Sequence, residues 1–249
     1  MQQFNNEKKN GIDVSRYQGD IDFDAVIESG IGFAIIRIGS TTSGATLNKD
    51  ALFEQNYNRA KEAGIPVGVY YYSQATTPAM AETEAEHVLK ILDCRELELP
   101  VFMDIEDKLH YNVGKKNLAN VYKAFADAIE IGSKYTAKCY TGLNFLRNYI
   151  DGDILYNRSG QFWMAQYNDK MTYEKPQYVG IWQHSSKGRV AGIKGDVDLN
   201  IAYTDVTNML RKDKQEENKC ADRLENNNFV SFKSAIVLSV FFLPAGRKY

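Results

Sequence analysis

The sequence predicts an α/β protein whose strands close into a barrel ringed by helices. Three observations carry that expectation. From residue 11 to about residue 150, strand-like and helix-like segments alternate, the pattern of a parallel sheet with crossover helices. From Phe162 onward, three strand-like runs follow one another with no long helix between them. Roughly eight strands in about 200 residues lie at the small end of the (β/α)₈ range. A doubly wound open sheet is the alternative. No G-x-G-x-x-G follows the first strand, so nothing specific favours a nucleotide fold.

Each element has its own signal. Gly11 to Val14 is a short apolar strand that contains Asp13, and Phe23 to Ser29 has the length of a short helix. Gly32 to Ile38 is a β-branched run and reads as a strand. Lys49 to Ala63 is helical in character and stops at Gly64, with Pro66 beyond. Val67 to Tyr72 is the next strand. Ala79 to Leu92 is a helix, with Val88, Leu89 and Leu92 at helical spacing after an acidic first turn. Val101 to Glu106 is a strand. Asn117 to Ile131 is a helix with Leu118, Val121, Tyr122, Phe125 and Ile129 on one stripe. Ala137 to Tyr140 is a strand and Leu143 to Tyr149 a short helix. Phe162 to Tyr167, Val179 to Gln183 and Gly195 to Leu199 supply the last three strands.

Composition narrows the function. Hydrophobic content is 44%, charged content 25% and net charge −2. No Lys/Arg cluster is interleaved with aromatics, which argues against nucleic acid. Cys94, Cys139 and Cys220 are odd in number and widely spaced, so neither a disulfide framework nor a zinc site is expected. His87, His110 and His184 show no metal-ligand spacing. No metal or cofactor is predicted. Cys139, on a strand, reads as a small hydrophobe.

The strand from Val101 carries the most chemistry. Its alternation puts Val101, Met103 and Ile105 on one face, and Phe102, Asp104 and Glu106 on the other. Two carboxylates on one face of a buried strand need a partner, a metal or a catalytic use. Two residues of rise are about 6.6 Å, near the separation at which two carboxyls straddle a glycosidic bond. The competing reading is a strand end running into a solvated acidic loop. On a barrel, active residues gather at the C-terminal strand ends; Asp13, Tyr72, Asp104, Glu106 and Asp198 all sit at or near such ends.

Several separated motifs then resemble one family, glycoside hydrolase family 25, the Chalaropsis-type lysozymes or N-acetylmuramidases. Gly11 to Phe23, GIDVSRYQGDIDF, resembles the opening strand and loop D-V-S-x-x-Q-G-x-I-D-W, with Phe23 in place of the common Trp. Gly68 to Tyr72 resembles the third strand, and Asp104-Ile105-Glu106 the D-x-E that ends the fourth. Phe162 to Tyr167 resembles the W-x-A-x-Y strand. Ile181 to Ser186 and Gly192 to Asn200 resemble the last two strands and their junction. The ordered set covers about residues 11 to 205.

The resemblance implies an irregular barrel of five β/α units followed by three strands, a (β/α)₅(β)₃ fold over residues 10 to 208. It implies hydrolysis of the β-1,4 bond between N-acetylmuramic acid and N-acetylglucosamine in bacterial peptidoglycan. Glu106 matches the general acid and Asp104 its partner carboxylate. Asp13 and Asp198 match two further acids of the rim, and Tyr70 an active-site tyrosine. Carboxyls crowded together keep protons to higher pH, which suits Glu106 to the acid's role. Asp104 has two possible jobs: attack on the anomeric carbon, or orientation of the substrate's N-acetyl group for attack. The second is favoured because the substrate carries that group.

Other assignments are candidates beside simpler readings. Tyr70, Tyr72, Trp163, Tyr167 and Trp182 are candidates for sugar contacts, with core packing as the alternative. Gln18 and Gln183 are candidates for hydrogen bonds to sugar hydroxyls, with loop structure as the alternative. Arg37 is a candidate partner for one of the acids, or an ordinary rim ion pair.

The polar start, Met1 to Asn10, does not resemble a secretory signal peptide. Synthesis in the cytoplasm and the role of a phage endolysin, released when a phage pore opens the membrane, are therefore expected. Residues 209 to 249 form an unassigned tail. Arg211 to Asn228 is charged and Asn-rich, and the apolar run Ala235 to Leu243 is too short to span a bilayer. Two other functions compete: a glycan-binding protein on an inactive barrel, and a chitinase-like barrel. The second would need a longer run of alternating acids on one strand, which the sequence lacks.

Overall fold

The computed structural model describes residues 8–43, 45–131 and 133–203. The expectations for the tail, including the run Ala235 to Leu243, lie outside these residues. Nine strands form one sheet: β1 (Lys9–Val14), β2 (Phe33–Thr42), β3 (Thr46–Lys49), β4 (Val67–Tyr72), β5 (Val101–Asp104), β6 (Ala137–Gly142), β7 (Phe162–Ala165), β8 (Val179–Gly188) and β9 (Val197–Ala202). Pairing of β1 with both β2 and β9 closes eight of them into a barrel. The remaining strand, β3, pairs only with β2, as the return arm of an antiparallel hairpin.

Helices follow the first five barrel strands. They are α1 (Phe23–Glu28), α2 (Phe53–Glu62), α3 (Pro78–Leu92), α4 (Lys115–Ile131), α5 (Leu143–Asn148) and α6 (Gly152–Ser159). Neither junction among β7, β8 and β9 contains an α-helix, so the barrel is five β/α units followed by three strands. Local chemistry sets the helix starts. Asp22, Thr77 and Asp151 accept backbone N–H bonds at the N-caps of α1, α3 and α6, where the first-turn amides lack helical partners. Pro78 opens α3, where its missing N–H costs nothing.

Three features depart from the sequence expectations. The hairpin strand β3 and the helix α6 were not anticipated. The third departure bears on the site. β9 runs antiparallel to both β8 and β1, so Asp198 lies near the N-terminal end of its strand, not the C-terminal end. Because β9 is reversed, that end falls on the same rim as the C-terminal ends of the other strands.

Apolar residues divide into two cores, as alternation on a closed sheet requires. Val69, Met103 and Ile105 face outward and pack with Val88, Phe125 and Ile129 of the helix layer. Phe33, Ile35, Phe102, Tyr140, Trp163 and Ile181 fill the barrel interior. A Cβ on Gly11 would fall 2.2 Å from the Phe33 ring, so the bare backbone there makes room for that ring.

Candidate active site

Sheet register assembles the site. Parallel pairing sets Tyr72 of β4 beside Asp104 of β5, and Asp104 beside Tyr140 of β6. Antiparallel pairing sets Asp13 of β1 opposite Asp198 of β9, and Gln183 of β8 opposite Asn200 of β9. The interior is therefore apolar below and polar at one rim. Asp13, Asp104, Glu106 and Asp198, read from the sequence as rim acids, are brought together there.

Burial acts on all four acids, and repulsion between carboxylates adds to it at Asp13, Asp104 and Glu106. Asp13 is 4% exposed and Asp104 3%. Burial holds the Asp104 carboxyl well above the ordinary carboxylate range, and the charges of Glu106 and Asp13 push it further. Asp104 Oδ1 is buried and has no hydrogen-bond partner among the described residues. Burial and the facing Asp198 raise Asp13 in the same way, while hydrogen bonds from Asn200 and Gln183 pull it back. Burial also raises Asp198. Glu106 is exposed to solvent, yet enough protein surrounds it that desolvation leads in raising its carboxyl, with Asp198 and Asp107 adding. A hydrogen bond from the Tyr140 hydroxyl acts the other way and lowers it. The four acids titrate as one coupled system.

The segment that carries Glu106 is tied down by its neighbour. Asp107 accepts from Tyr72 Oη at 3.0 Å, Gln74 Nε2 at 2.8 Å and the Leu109 backbone N–H at 2.8 Å. These bonds hold the Asp107 carboxyl below its usual range, although burial opposes them. Behind this loop, buried Glu84 of α3 accepts from Thr41, Ser73 and the Gln74 backbone N–H.

Several candidates for sugar contacts have partners of their own, as the alternative readings expect. Trp163 is 1% exposed and stands inside the barrel, with ring centroids of Tyr140, Phe102 and Tyr70 at 4.3, 5.3 and 6.0 Å. Its ring faces are spent on core packing. Trp182 is 6% exposed and packs with the outward-facing core, its indole N–H bonded to the Gln166 carbonyl at 2.8 Å. Its neighbour Gln183 points inward, and alternation sends Trp182 to the other side of the sheet. Gln18 belongs to the loop itself: its Oε1 accepts from the Ser15 backbone N–H at 2.9 Å and its Nε2 donates to the Asp196 carbonyl at 3.3 Å. Arg37 pairs with Asp50, outside the acid cluster, at 2.6 Å.

Tyr167 is 55% exposed at the rim and donates to Gln183 Oε1 at 3.0 Å. Tyr70 lies against the interior core, its hydroxyl pushed up by burial and by Asp13. Gln183 is 3% exposed and bonded to Asp13 at 2.8 Å, so its amide serves the acid cluster. Sequence reasoning overlooked Tyr140, Asn200 and Asp107. Tyr140 ends its strand as Asp104 ends the adjacent one, and that parallel was the available signal. Among the described residues no cluster of His, Cys, Asp and Glu is placed to hold a metal ion, and no helix is long and apolar enough to cross a membrane.

Comparison with known proteins adds to this geometry. Residues 12–193 match the family described as glycosyl hydrolases family 25. The autolytic lysozyme of Clostridium acetobutylicum is 32% identical over 190 residues, which make up 76% of this chain and 54% of that protein. The chain thus spans about half the length of this relative. Lysozyme M1 of Streptomyces globisporus is 27% identical over 202 residues, 76% of this chain and 66% of that protein. Among solved structures, the spore cortex lytic enzyme SleM of Clostridium perfringens aligns with a TM-score of 0.73 at 22% identity, covering 84% of this chain and 71% of SleM. At that identity the likeness speaks for the fold.

Proposed function

The chain belongs to glycosyl hydrolases family 25, and on that premise we propose that it is an N-acetylmuramidase. The proposed reaction is hydrolysis of the β-1,4 bond between N-acetylmuramic acid and N-acetylglucosamine in bacterial peptidoglycan. The catalytic domain is assigned to residues 10 to 208. The observation that carries the reading is the acid cluster on one barrel rim, with Asp104 and Glu106 on the inner side of one strand and its extension. Relatives named as lysozymes support the substrate class.

Each proposed role follows from an environment. Cleavage needs a proton on the leaving oxygen and stabilisation of an oxocarbenium-like transition state. Glu106 is solvent-accessible, so it can meet the glycosidic oxygen, and its raised carboxyl keeps a proton closer to neutral pH. Asp104 is more deeply placed and has an acceptor oxygen without a donor among the described residues. An acetamido N–H is a donor that would satisfy it. We therefore assign Asp104 to holding the substrate's N-acetyl group for attack on the anomeric carbon, in preference to attacking directly. Asp13 and Asp198 add negative charge facing the developing cation.

The test is a digest of purified peptidoglycan, followed by turbidity and by mass analysis of the products. N-acetylmuramic acid at the new reducing ends is expected, and free amino termini instead would make the protein an endopeptidase. N-deacetylated walls should be cut poorly if Asp104 works through the acetamido group. The biological role we propose is that of a phage endolysin. Lysis of a bacterial host on co-expression with a phage pore, and no lysis with the Glu106→Gln variant, is the expected outcome.

A further inference from the structure

Glu106 lies beyond the sheet. β5 ends at Asp104, and a short 3₁₀ helix, Lys108–Asn112, begins only after Asp107. Strand pairing therefore does not hold the residue assigned as the acid. Its two neighbours are held instead. Ile105 gives its backbone N–H to the Tyr140 carbonyl at 2.9 Å, and its own carbonyl accepts the Thr141 hydroxyl at 2.7 Å. On the other side, Asp107 is buried and bonded through both carboxylate oxygens.

The two oxygens of Asp107 have different partners. Oδ1 accepts the Leu109 N–H at 2.8 Å, an ordinary N-cap that a serine or an asparagine supplies as well. Oδ2 has no part in the cap. It accepts Tyr72 Oη at 3.0 Å and Gln74 Nε2 at 2.8 Å. Both donors come from the end of β4 and the loop after it, and that loop has an anchor of its own. Glu84 of α3 is buried and accepts the Ser73 hydroxyl at 2.6 Å and the Gln74 backbone N–H at 3.1 Å. The Ser73 backbone N–H donates in turn to the Asp104 carbonyl at 3.0 Å. Hydrogen bonds thus run from α3, through Ser73 and Gln74, to the residue beside the acid. Capping accounts for one oxygen of Asp107. It does not account for the second, on which two side chains of another element converge.

We propose that Asp107, Tyr72 and Gln74 are positioning residues for Glu106, fixing the backbone on its C-terminal side so that its carboxyl meets the glycosidic oxygen. The proposal rests on the family 25 reading, in which Glu106 is the acid. It moves Tyr72 from the candidate sugar contacts to the support of the acid, because its hydroxyl is committed to Asp107. The need is physical. Proton transfer requires the acid within hydrogen-bond reach of the leaving oxygen, and a misplacement of about 1 Å costs on the order of 10²-fold in rate. An exposed glutamate on an irregular segment keeps its place only if the chain is fixed on both sides of it. The tie acts on the acid and touches no sugar. Its loss should therefore lower kcat and leave KM where it was.

The experiment is steady-state kinetics of the full chain on soluble peptidoglycan fragments, with product analysis, beside melting temperatures. Asp107→Ser keeps the cap and removes the oxygen that Tyr72 and Gln74 share. Its kcat should fall by about tenfold or more, with KM within about twofold of wild type. Tyr72→Phe keeps the ring and removes one donor, and its kcat should fall by about threefold or more with KM unchanged. The double variant Tyr72→Phe with Gln74→Leu breaks the same tie from the other end. It should match Asp107→Ser, and adding Asp107→Ser to it should cost little more. The tyrosine variant carries the test if the serine variant does not fold. A near-normal kcat in folded Asp107→Ser reduces Asp107 to a helix cap and overturns the proposal. A raised KM with normal kcat in Tyr72→Phe makes Tyr72 a sugar contact and does the same. So does a loss confined to Asp107→Ser with a normal double variant, which would leave only the charge of Asp107 acting. Wild-type protein that releases no N-acetylmuramic acid reducing ends overturns the muramidase reading and this proposal with it, whereas wild-type cleavage with unaffected variants overturns this proposal alone.

Discussion

Replacing Asp104 with Asn should make the protein more stable and much less active. The side chain is 3% exposed, one of its oxygens has no hydrogen-bond partner among the described residues, and Glu106 and Asp13 repel its charge. Asparagine keeps the shape and removes the charge. Relief of a strained functional group of this kind is worth about 1 kcal/mol, within the range of common stabilising substitutions. In a barrel of this size about 1 kcal/mol moves the unfolding midpoint by roughly 2–4 °C. The pH dependence has a definite sign. Because the folded-state pKa of Asp104 is raised, the native protein holds more protons than the unfolded chain above about pH 3.9, and its stability falls as pH rises through that window. The gain from Asn should therefore be near zero close to pH 3.5 and larger at neutral pH. Activity should drop by at least about 10²-fold. Thermal unfolding followed by circular dichroism at both pH values, beside a wall-digestion assay, checks all three statements. A folded variant that is less stable than wild type at pH 7, or equally stabilised at both pH values, would refute the reasoning.

Glu106→Gln should leave the unfolding temperature within a few degrees of wild type and lower the digestion rate by at least about 10²-fold; near-normal digestion would remove Glu106 from the acid's role. Gly192→Ala should destabilise by about 1–3 kcal/mol, read as a lowered melting temperature. Gly192 has a φ of +88°, and a Cβ there would lie 2.2 Å from the Asp22 carbonyl, beside the Asp22 backbone N–H bond to Gly192 that ties the β8–β9 loop to the start of α1. A chain ending at Asn208 should melt close to the full chain and cleave soluble peptidoglycan fragments at a similar rate. A large loss of folding on that truncation would assign the tail a structural part.

Some of the site was legible because it depends on short-range periodicity. Val101, Met103 and Ile105 face the helices while Phe102 and Asp104 face the interior, as strand alternation demands. The same rule, applied from Gln183, sends Trp182 outward, to the core-packing alternative. Trp163 was harder. Its parity is right for the interior, and only the depth at which β7 meets β6 and β8 distinguishes a ring in the floor of the barrel from one at the mouth. For Gln18 the sequence leaves a sugar contact and a loop role equally open. Its hydrogen bonds to Ser15 and Asp196 belong to a capping turn and a contact 178 residues away.

What the sequence by itself determined is the order of the elements, the faces of the strands and the carriage of acids on several of them. These follow from periods of 2 and 3.6 residues and from turn chemistry, which are local properties of the chain. Tertiary structure alone decided how those pieces face one another. It reversed β9, so that Asp198 arrives opposite Asp13 from the other direction, and it set the register that puts Tyr140 beside Asp104 and Asn200 beside Gln183. Register and strand direction are fixed by closing the barrel over two apolar cores at once, a sum over contacts between residues far apart in sequence. The hydrogen bonds that run from Trp163 through Asn200, Asp13 and Gln183 to Tyr140 exist only once that closure has brought donor and acceptor together.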